Sequence, residues 1–184
     1  MRKIINSTFI TLDGVIQSPH LWPRLVAPPD PRAWAMQTDL LLACDAVLMG
    51  RRTYDAFAPV WPTRSGDPYS DRINVMPKYV VSRTLKNPEW TNTTVIGGDV
   101  AAEMKKLKAA GGQDIVQYGF GSVSRLLMEH GLLDELRLWL YPQTIGNGNL
   151  ADLMAPSAMQ AQFHLSDSTA LSNGIVLLRY RLAR

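Results

Sequence analysis

The sequence has little cysteine, no long apolar run and no dense basic segment. Its single cysteine, Cys44, excludes an intrachain disulfide and any pair of cysteine metal ligands, and the three histidines are scattered without metal-ligand spacing. The 19 basic and 16 acidic residues are spread evenly and give a net charge of only +3, whereas a nucleic-acid-binding protein would show a denser basic stripe. We therefore expect neither a metal site nor a nucleic-acid partner.

The N-terminus carries two charges beside a short apolar run, Ile4-Ile5, and lacks the apolar core of about 7–15 residues that marks a signal peptide. No other run approaches the ~18 apolar residues of a membrane-spanning helix. We therefore expect a cytoplasmic protein with no membrane partner.

The length of 184 residues and an apolar content of 46% are typical of one globular domain, residues 1–184. Strand-like and helix-like segments alternate, and Asn173-Gly174 between two strand-like runs indicates a hairpin. The predicted strands are residues 4–10, 46–49, 78–82, 93–96, 114–118, 136–141, 164–171 and 175–182, and the predicted helices are 33–44, 51–57, 69–74, 100–109 and 122–130. This order predicts a three-layer α/β/α domain with a mostly parallel central sheet and an antiparallel C-terminal edge hairpin.

Two glycines, Gly119 and Gly121, stand between a predicted strand and the helix that begins at Ser122. Glycine lets the backbone approach a ligand closely, and the free N–H groups of a helix start can bind phosphate. A tight turn without a ligand fits the same residues equally well. Ser124 occupies the place of a third glycine, so this is not the fingerprint of the dinucleotide-binding Rossmann fold.

A second phosphate-friendly segment runs from Gly50 to Thr53 and contains two arginines and a threonine. Consecutive arginines point in different directions on a helix, so we expect one of them to face a ligand. Ser82 and Arg83 follow another strand and suit an adenosine 2′-phosphate. The alternatives are ordinary surface arginines for the segment from Gly50 to Thr53 and a polar turn for Ser82 and Arg83. All three segments follow predicted strands, and the carboxyl ends of parallel strands share one side of a domain, which favours a dinucleotide site.

Six motifs in a fixed order carry a resemblance to a known family. They are Leu12-Asp13-Gly14, the segment from Leu48 to Tyr54, the segment from Pro77 to Leu85, the segment from Gly119 to Ser122, the segment from Gly131 to Leu138, and the segment from Pro142 to Gly148. Over nearly the whole chain, the sequence resembles the dihydrofolate-reductase-like proteins related to the reductase domain of bacterial riboflavin biosynthesis.

This resemblance implies NADPH as the cofactor, lying across the strand ends. It places Gly50, Arg51 and Thr53 on the adenine-side phosphates, Ser82 and Arg83 near the 2′-phosphate, Gly119, Gly121, Ser122 and Val123 at the pyrophosphate, and the segment from Ile10 to Gly14 beside the nicotinamide.

The sequence departs from true dihydrofolate reductases, which carry a carboxylate on the helix before the Met-Gly-Arg motif. Trp34 lies near the matching position, and Asp30 and Asp39 are roughly a turn or more away. We therefore do not expect folate reduction. Asp13 is the best candidate proton donor, and a turn residue before Gly14 is the equal alternative.

Four aromatic residues are candidates for an apolar substrate pocket, and core packing is the alternative for each of them. They are Trp34, Trp61, Tyr69 and Tyr141.

The sequence thus predicts an NADPH-dependent reductase of a small heterocyclic or carbonyl substrate. A 5-amino-6-(5-phosphoribosylamino)uracil reductase-like enzyme is one such reductase. The alternative is a catalytically inactive nucleotide-binding sensor or partner protein of the same fold. The resemblance favours a homodimer, as does the face of residues 136–141 that carries Arg137, Trp139 and Tyr141, which is unusual for a solvated surface.

Overall fold

A central sheet organises the computed structural model, which describes residues 1–146, 149–154 and 160–183. The strands are β1 (Ile4–Thr11), β2 (Cys44–Gly50), β3 (Lys78–Val81), β4 (Thr93–Ile96), β5 (Asp114–Tyr118), β6 (Glu135–Tyr141), β7 (Phe163–Ala170) and β8 (Val176–Leu182). The helices are α1 (Pro31–Leu42), α2 (Arg51–Phe57), α3 (Pro68–Val75), α4 (Val100–Ala109) and α5 (Ser122–Glu129). These described strands form one eight-stranded sheet in the order β4-β3-β2-β5-β1-β6-β8-β7.

The first six strands of the chain are parallel where they pair, and the antiparallel pairs β6–β8 and β8–β7 form the edge. This arrangement confirms the predicted α/β architecture with its C-terminal hairpin. Parallel pairing puts the carboxyl ends of β1, β2, β3 and β5 along one side of the sheet, so the residues that follow them are neighbours.

Strand alternation divides the core between the two faces of the sheet. In β2, Leu48 packs with α4 and α5 residues such as Met104 and Leu127, whereas Val47 packs on the other face with α1 and α3 residues such as Leu41. Each of these side chains is almost fully buried and contributes roughly 1.5–3 kcal/mol through burial. Helices therefore cover both faces and leave the strand ends to build a site.

Helix α1 lies about two residues earlier than the sequence predicts. It begins at Pro31, and the N–H that proline lacks would have no partner within the helix at this position. Asp30 caps the helix by accepting a hydrogen bond from Arg32 N (2.9 Å). It ends at Leu42, so the prediction that Cys44 is helical is wrong. Cys44 opens β2 and is fully buried, and the apolar run from Ala46 to Met49 continues the strand after Asp45.

The face of β6 that carries Trp139 is covered by the chain itself. Trp139 is 1% exposed, its Nε1 donates to Ser7 Oγ (3.1 Å), and it packs with Leu171, Ile175 and Leu177. Burial of Trp139 by its own chain accounts for the apolar character of this face, so the face gives no separate support for the predicted homodimer. Residues of the hairpin and of α1, distant in sequence, complete the cover.

Asp30 joins α1 to the turn between β7 and β8. Its carboxylate is 5% exposed and accepts hydrogen bonds from the Arg32 side chain and from both the N–H (2.8 Å) and the hydroxyl (2.9 Å) of Ser172. The Arg32 guanidinium, followed by the Ser172 N–H, holds the pKa of Asp30 well below its usual range.

We predict that Asp30→Asn lowers the melting temperature at pH 7 and that this difference shrinks in acid. Because the pKa of Asp30 is lowered in the folded state, its stabilisation is complete above the unfolded value of about 3.9 and is lost as the pH falls through the folded value. Thermal unfolding from pH 7 to pH 2 measures this, with Asp39→Asn on the exposed side of α1 as the matched control. A difference that stays constant down to pH 2 would contradict the assignment.

Candidate functional site

The glycine turns after β2 and β5 touch one another. Gly119 has φ +76°, and a Cβ placed on it would lie 2.5 Å from Thr53 Oγ1. A Cβ on Gly50 would meet Val123 Cγ2 at 3.5 Å. Any side chain at position 119 would therefore be strained and would push α2 away from α5. The structure brings together two of the segments that the sequence singled out.

Gly121 differs from Gly119 because nothing in the fold requires a glycine there. Its φ of 174° is extended backbone that any residue adopts, and a Cβ on it would meet no atom within 4 Å. It precedes α5 and supplies no side-chain cap, so the first N–H groups of that helix have no side-chain acceptor from this position. Because Gly121 has no side chain, an anion could approach the first N–H groups of α5 closely.

A buried polar network holds the Gly119 turn from below. Asn6 Nδ2 donates to Gly119 O (2.8 Å) and to Gln117 Oε1 (3.1 Å), and Gln117 Nε2 donates to Ser124 Oγ (2.7 Å). Thr8 Oγ1 donates to Asn6 Oδ1 (2.9 Å), and these side chains are at most 4% exposed. We did not anticipate this network, although two polar residues on one face of an apolar strand were a visible indication of it.

Ser82 and Arg83 lie at the neighbouring strand end, beyond β2. Ser82 N donates to Ile96 O (3.0 Å), and its hydroxyl accepts from the N–H groups of Thr84 (3.2 Å) and Leu85 (3.0 Å). The Ser82 oxygen thus fixes the turn and keeps only its O–H for a ligand. Arg83 is exposed on that turn.

The two consecutive arginines have different surroundings. Arg51 Nε contacts both carboxylate oxygens of Asp55 (2.7 and 2.9 Å), so its charge is already paired. Arg52 is exposed and lines a cavity of about 400 Å³ between the segment after β1 and the segment after β6. The other lining residues are Gln17, Ser18, Leu21, Trp22, Pro23, Ile145 and Asp152. The residues alone left either arginine open and the resemblance placed Arg51 on the phosphates, whereas the structure makes Arg52 a further candidate.

Asp13 clamps the loop after β1 to the loop after β6. Its carboxylate accepts hydrogen bonds from the Thr11 hydroxyl and from the N–H groups of Ile145 (3.0 Å) and Gly146 (2.8 Å). The Thr11 hydroxyl, followed by the Gly146 N–H, lowers the pKa of Asp13. A carboxylate held in its charged form is a poor proton donor at neutral pH, so these contacts favour a positioning role.

Three of the four predicted pocket aromatics stack together. The Tyr69 ring lies between Trp34 (4.8 Å between centroids) and Trp61 (4.9 Å), and Tyr69 Oη hydrogen-bonds Tyr118 Oη (2.8 Å). Tyr141 lies apart from them, with Trp22 (5.4 Å) and Phe9 (5.3 Å) as its aromatic neighbours.

Metal chemistry and membrane insertion find no support in residues 1–146, 149–154 and 160–183. No group of three or more His, Cys, Asp or Glu side chains there could hold a metal ion, and no helix there is long and apolar enough to cross a membrane. Burial raises the pKa of the Cys44 thiol to about 12, so it is an inert core side chain.

We predict that Asn6→Leu destabilises the protein by about 1–3 kcal/mol, because it removes the recorded donor to the buried Gln117 Oε1 and leaves Gly119 O with two long contacts, from Gln117 Nε2 and Ser124 Oγ (3.4 Å each). Thr8→Val removes a single donor at the edge of the same network and should cost less. Urea unfolding of the two variants measures the free energies of unfolding. If Asn6→Leu were as stable as the wild type, the network would not be holding the turn.

Solved structures share this architecture. A pyrimidine reductase-like protein from Corynebacterium diphtheriae matches with a TM-score of 0.66 at 14% identity, covering 100% of this chain and 92% of that one. A diaminohydroxyphosphoribosylaminopyrimidine deaminase/5-amino-6-(5-phosphoribosylamino)uracil reductase from Thermotoga maritima matches with a TM-score of 0.68 at 14% identity, covering 99% of this chain and 57% of that one. These likenesses show the dihydrofolate-reductase-like fold.

Sequence similarity leads to the same family. The uncharacterized protein YyaP of Bacillus subtilis (strain 168) is 29% identical over 187 residues, which is 97% of this chain and 94% of YyaP. The family model described as the RibD C-terminal domain matches residues 2–177. The chain therefore belongs to the RibD C-terminal domain family.

Proposed function

We propose that the protein is an NADPH-dependent reductase of a small heterocyclic or carbonyl substrate and that the cofactor lies along the carboxyl ends of β1, β2, β3 and β5. The observation that carries this proposal is Gly121, a glycine that neither backbone conformation nor packing requires, next to the open start of α5. Membership of the RibD C-terminal domain family supports a reductase-like role.

The proposed cofactor contacts are those that the resemblance implies, with one arginine added. The contacts are Ile10, Gly50, Arg51, Thr53, Ser82, Arg83, Gly119, Gly121, Ser122 and Val123, with Arg52 as the addition. When bound, the nicotinamide supplies the hydride. The protein orients both reactants: the Gly119 turn presents N–H groups, Arg52 supplies a positive charge at the cavity, and Arg83 distinguishes a 2′-phosphate from a hydroxyl.

The substrate end of the proposed site is apolar. We assign Trp34 and Trp61 to its aromatic wall, with the buried Tyr69 ring packed between them, and Tyr141 supports Trp22 behind the cavity. We assign Asp13 to loop positioning, because its carboxylate is engaged by three hydrogen bonds. The homodimer stays a prediction from the resemblance, and the cytoplasmic location stays a prediction from the short apolar runs of the sequence. An inactive nucleotide-binding partner has no observation in its favour, and turnover of NADPH would remove it.

We predict that NADPH binds in the micromolar range, more tightly than NADH, and that Gly121→Ala weakens it at least tenfold. The new methyl group would occupy the space that a phosphate must enter, yet it meets no protein atom, so the loss of stability should stay below about 1 kcal/mol. Calorimetry of NADPH binding and thermal unfolding of the same variant separate the two effects. Unchanged affinity for NADPH would contradict the proposed phosphate position.

We also predict that Arg52→Ala weakens NADPH more than Arg51→Ala does, by about tenfold against about threefold, because Asp55 already neutralises Arg51. The two variants are a matched pair one residue apart. Arg83→Ala should reduce the preference for NADPH over NADH and leave NADH affinity unchanged. Equal losses for both cofactors with Arg83→Ala would place the 2′-phosphate elsewhere.

A further inference from the structure

One face of the antiparallel strands carries apolar side chains that stay partly exposed. In the register of these strands, Leu138 lies opposite Leu178, Leu165 opposite Tyr180 and Phe163 opposite Leu182. Directly opposed residues and alternate residues of one strand share a face of the sheet. We call this surface the leucine face, and its members are Leu138, Phe163, Leu165, Leu178, Tyr180 and Leu182. Leu165 is 54% exposed, and the other five are partly exposed.

The strands β6 and β8 are apolar on both faces. Trp139 and Leu177, which also lie opposite each other, point to the other face and are buried with α1 residues such as Met36. Antiparallel strands that keep one face in solvent alternate between apolar and polar residues, yet Leu138 and Leu178 stand where polar residues would be expected. The sequence of these strands therefore fits a sheet that is covered on both sides.

Helix α5 borders the leucine face. A cavity of about 490 Å³ lies between this helix and the end of β8. The helix contributes Arg125, Met128 and Glu129 to its lining, and the leucine face contributes Leu182. The leucine face thus continues into a groove along the side of α5, which gives it a polar edge beside an apolar centre.

Two opposite charges on α5 line this groove. Arg125 and Glu129 are four residues apart and so lie on one side of the helix. Within residues 1–146, 149–154 and 160–183, neither side chain forms a salt bridge. In a two-fold dimer the same surface meets itself, so an arginine and a glutamate on one surface can pair across the axis in both directions. The edge of the leucine face is therefore complementary to itself.

We infer that the leucine face is the surface on which a second copy of this chain docks about a two-fold axis. The second copy covers the exposed part of the apolar face, and Arg125 pairs with Glu129 of the partner subunit at the groove. Contiguous exposed apolar surface with a polar rim is typical of such interfaces. This inference is independent of the proposed function, and it places the interface on the side of β6 opposite to Trp139.

Sedimentation velocity over a concentration series, with purified full-length protein, tests this inference. We expect the wild type to sediment at twice the chain mass of 20.5 kDa. Leu165→Glu and Leu178→Glu should each weaken the dimer at least 100-fold, because a carboxylate would be buried against an apolar surface. Leu165 is already more than half exposed, so its variant should fold, which circular dichroism checks. Leu42→Glu, at an exposed leucine at the end of α1, is the matched control and should stay dimeric.

A charge exchange on α5 tests the two-fold arrangement itself. Arg125→Glu and Glu129→Arg should each weaken the dimer about tenfold, because each creates two like-charge contacts across the axis. The double variant restores both pairs and should return the dissociation constant to within about twofold of the wild type. A surface that is only apolar would show no such restoration.

The outcomes decide the inference without reference to the cofactor. A wild type that sediments as a monomer at every concentration would overturn it. A dimer that persists in both Leu165→Glu and Leu178→Glu would also overturn it, because the interface would lie elsewhere. If Leu178→Glu does not fold, Leu165→Glu and the charge exchange give the answer. NADPH affinity, measured on the folded monomeric variant, reports separately on the proposed function.

Discussion

The contact between Gly119 and Thr53 is the constraint on which the candidate site depends. A side chain at position 119 would be strained at φ +76° and would meet the Thr53 hydroxyl at 2.5 Å, so glycine lets α2 and α5 begin side by side without strain. The buried amides of Asn6 and Gln117 fix the same turn from the sheet below. Packing and hydrogen bonding therefore set the geometry of the strand ends before any ligand arrives, which reduces the cost of binding.

The charged side chains around the strand ends differ in whether they are already paired. Arg51 and Asp55 neutralise each other on α2. The Asp13 carboxylate accepts hydrogen bonds that connect the loop after β1 to the loop after β6. Arg52 and Arg83 are exposed cations beside the strand ends. The phosphate end of the proposed site thus relies on backbone N–H groups and two arginines, while the substrate end is aromatic and neutral. This division suits a reaction in which the cofactor supplies the reactive electrons.

Elements that local interactions determine could be predicted from the sequence. The bounds of α4 and β5 agree with prediction, because Asp99 caps α4 by accepting from Ala102 N (3.0 Å) and the β-branched residues Ile115 and Val116 lie within β5. The glycine turns were visible for the same reason. The Asn6–Gln117 amide pair spans 111 residues, the Tyr69–Tyr118 pair spans 49, and the cover over Trp139 comes from α1 and the final hairpin. No pattern within a short window reports such contacts.

The central claim is that a dinucleotide phosphate lies against the start of α5. Amide hydrogen exchange, with and without saturating NADPH, tests it most directly, because phosphate would accept hydrogen bonds from the N–H groups of Ser122, Val123 and Ser124. The account predicts that NADPH slows exchange at these amides and at Gly121, while the outer amides of β7 are unaffected. NADPH binding with protection elsewhere and none at residues 121–124 would contradict it.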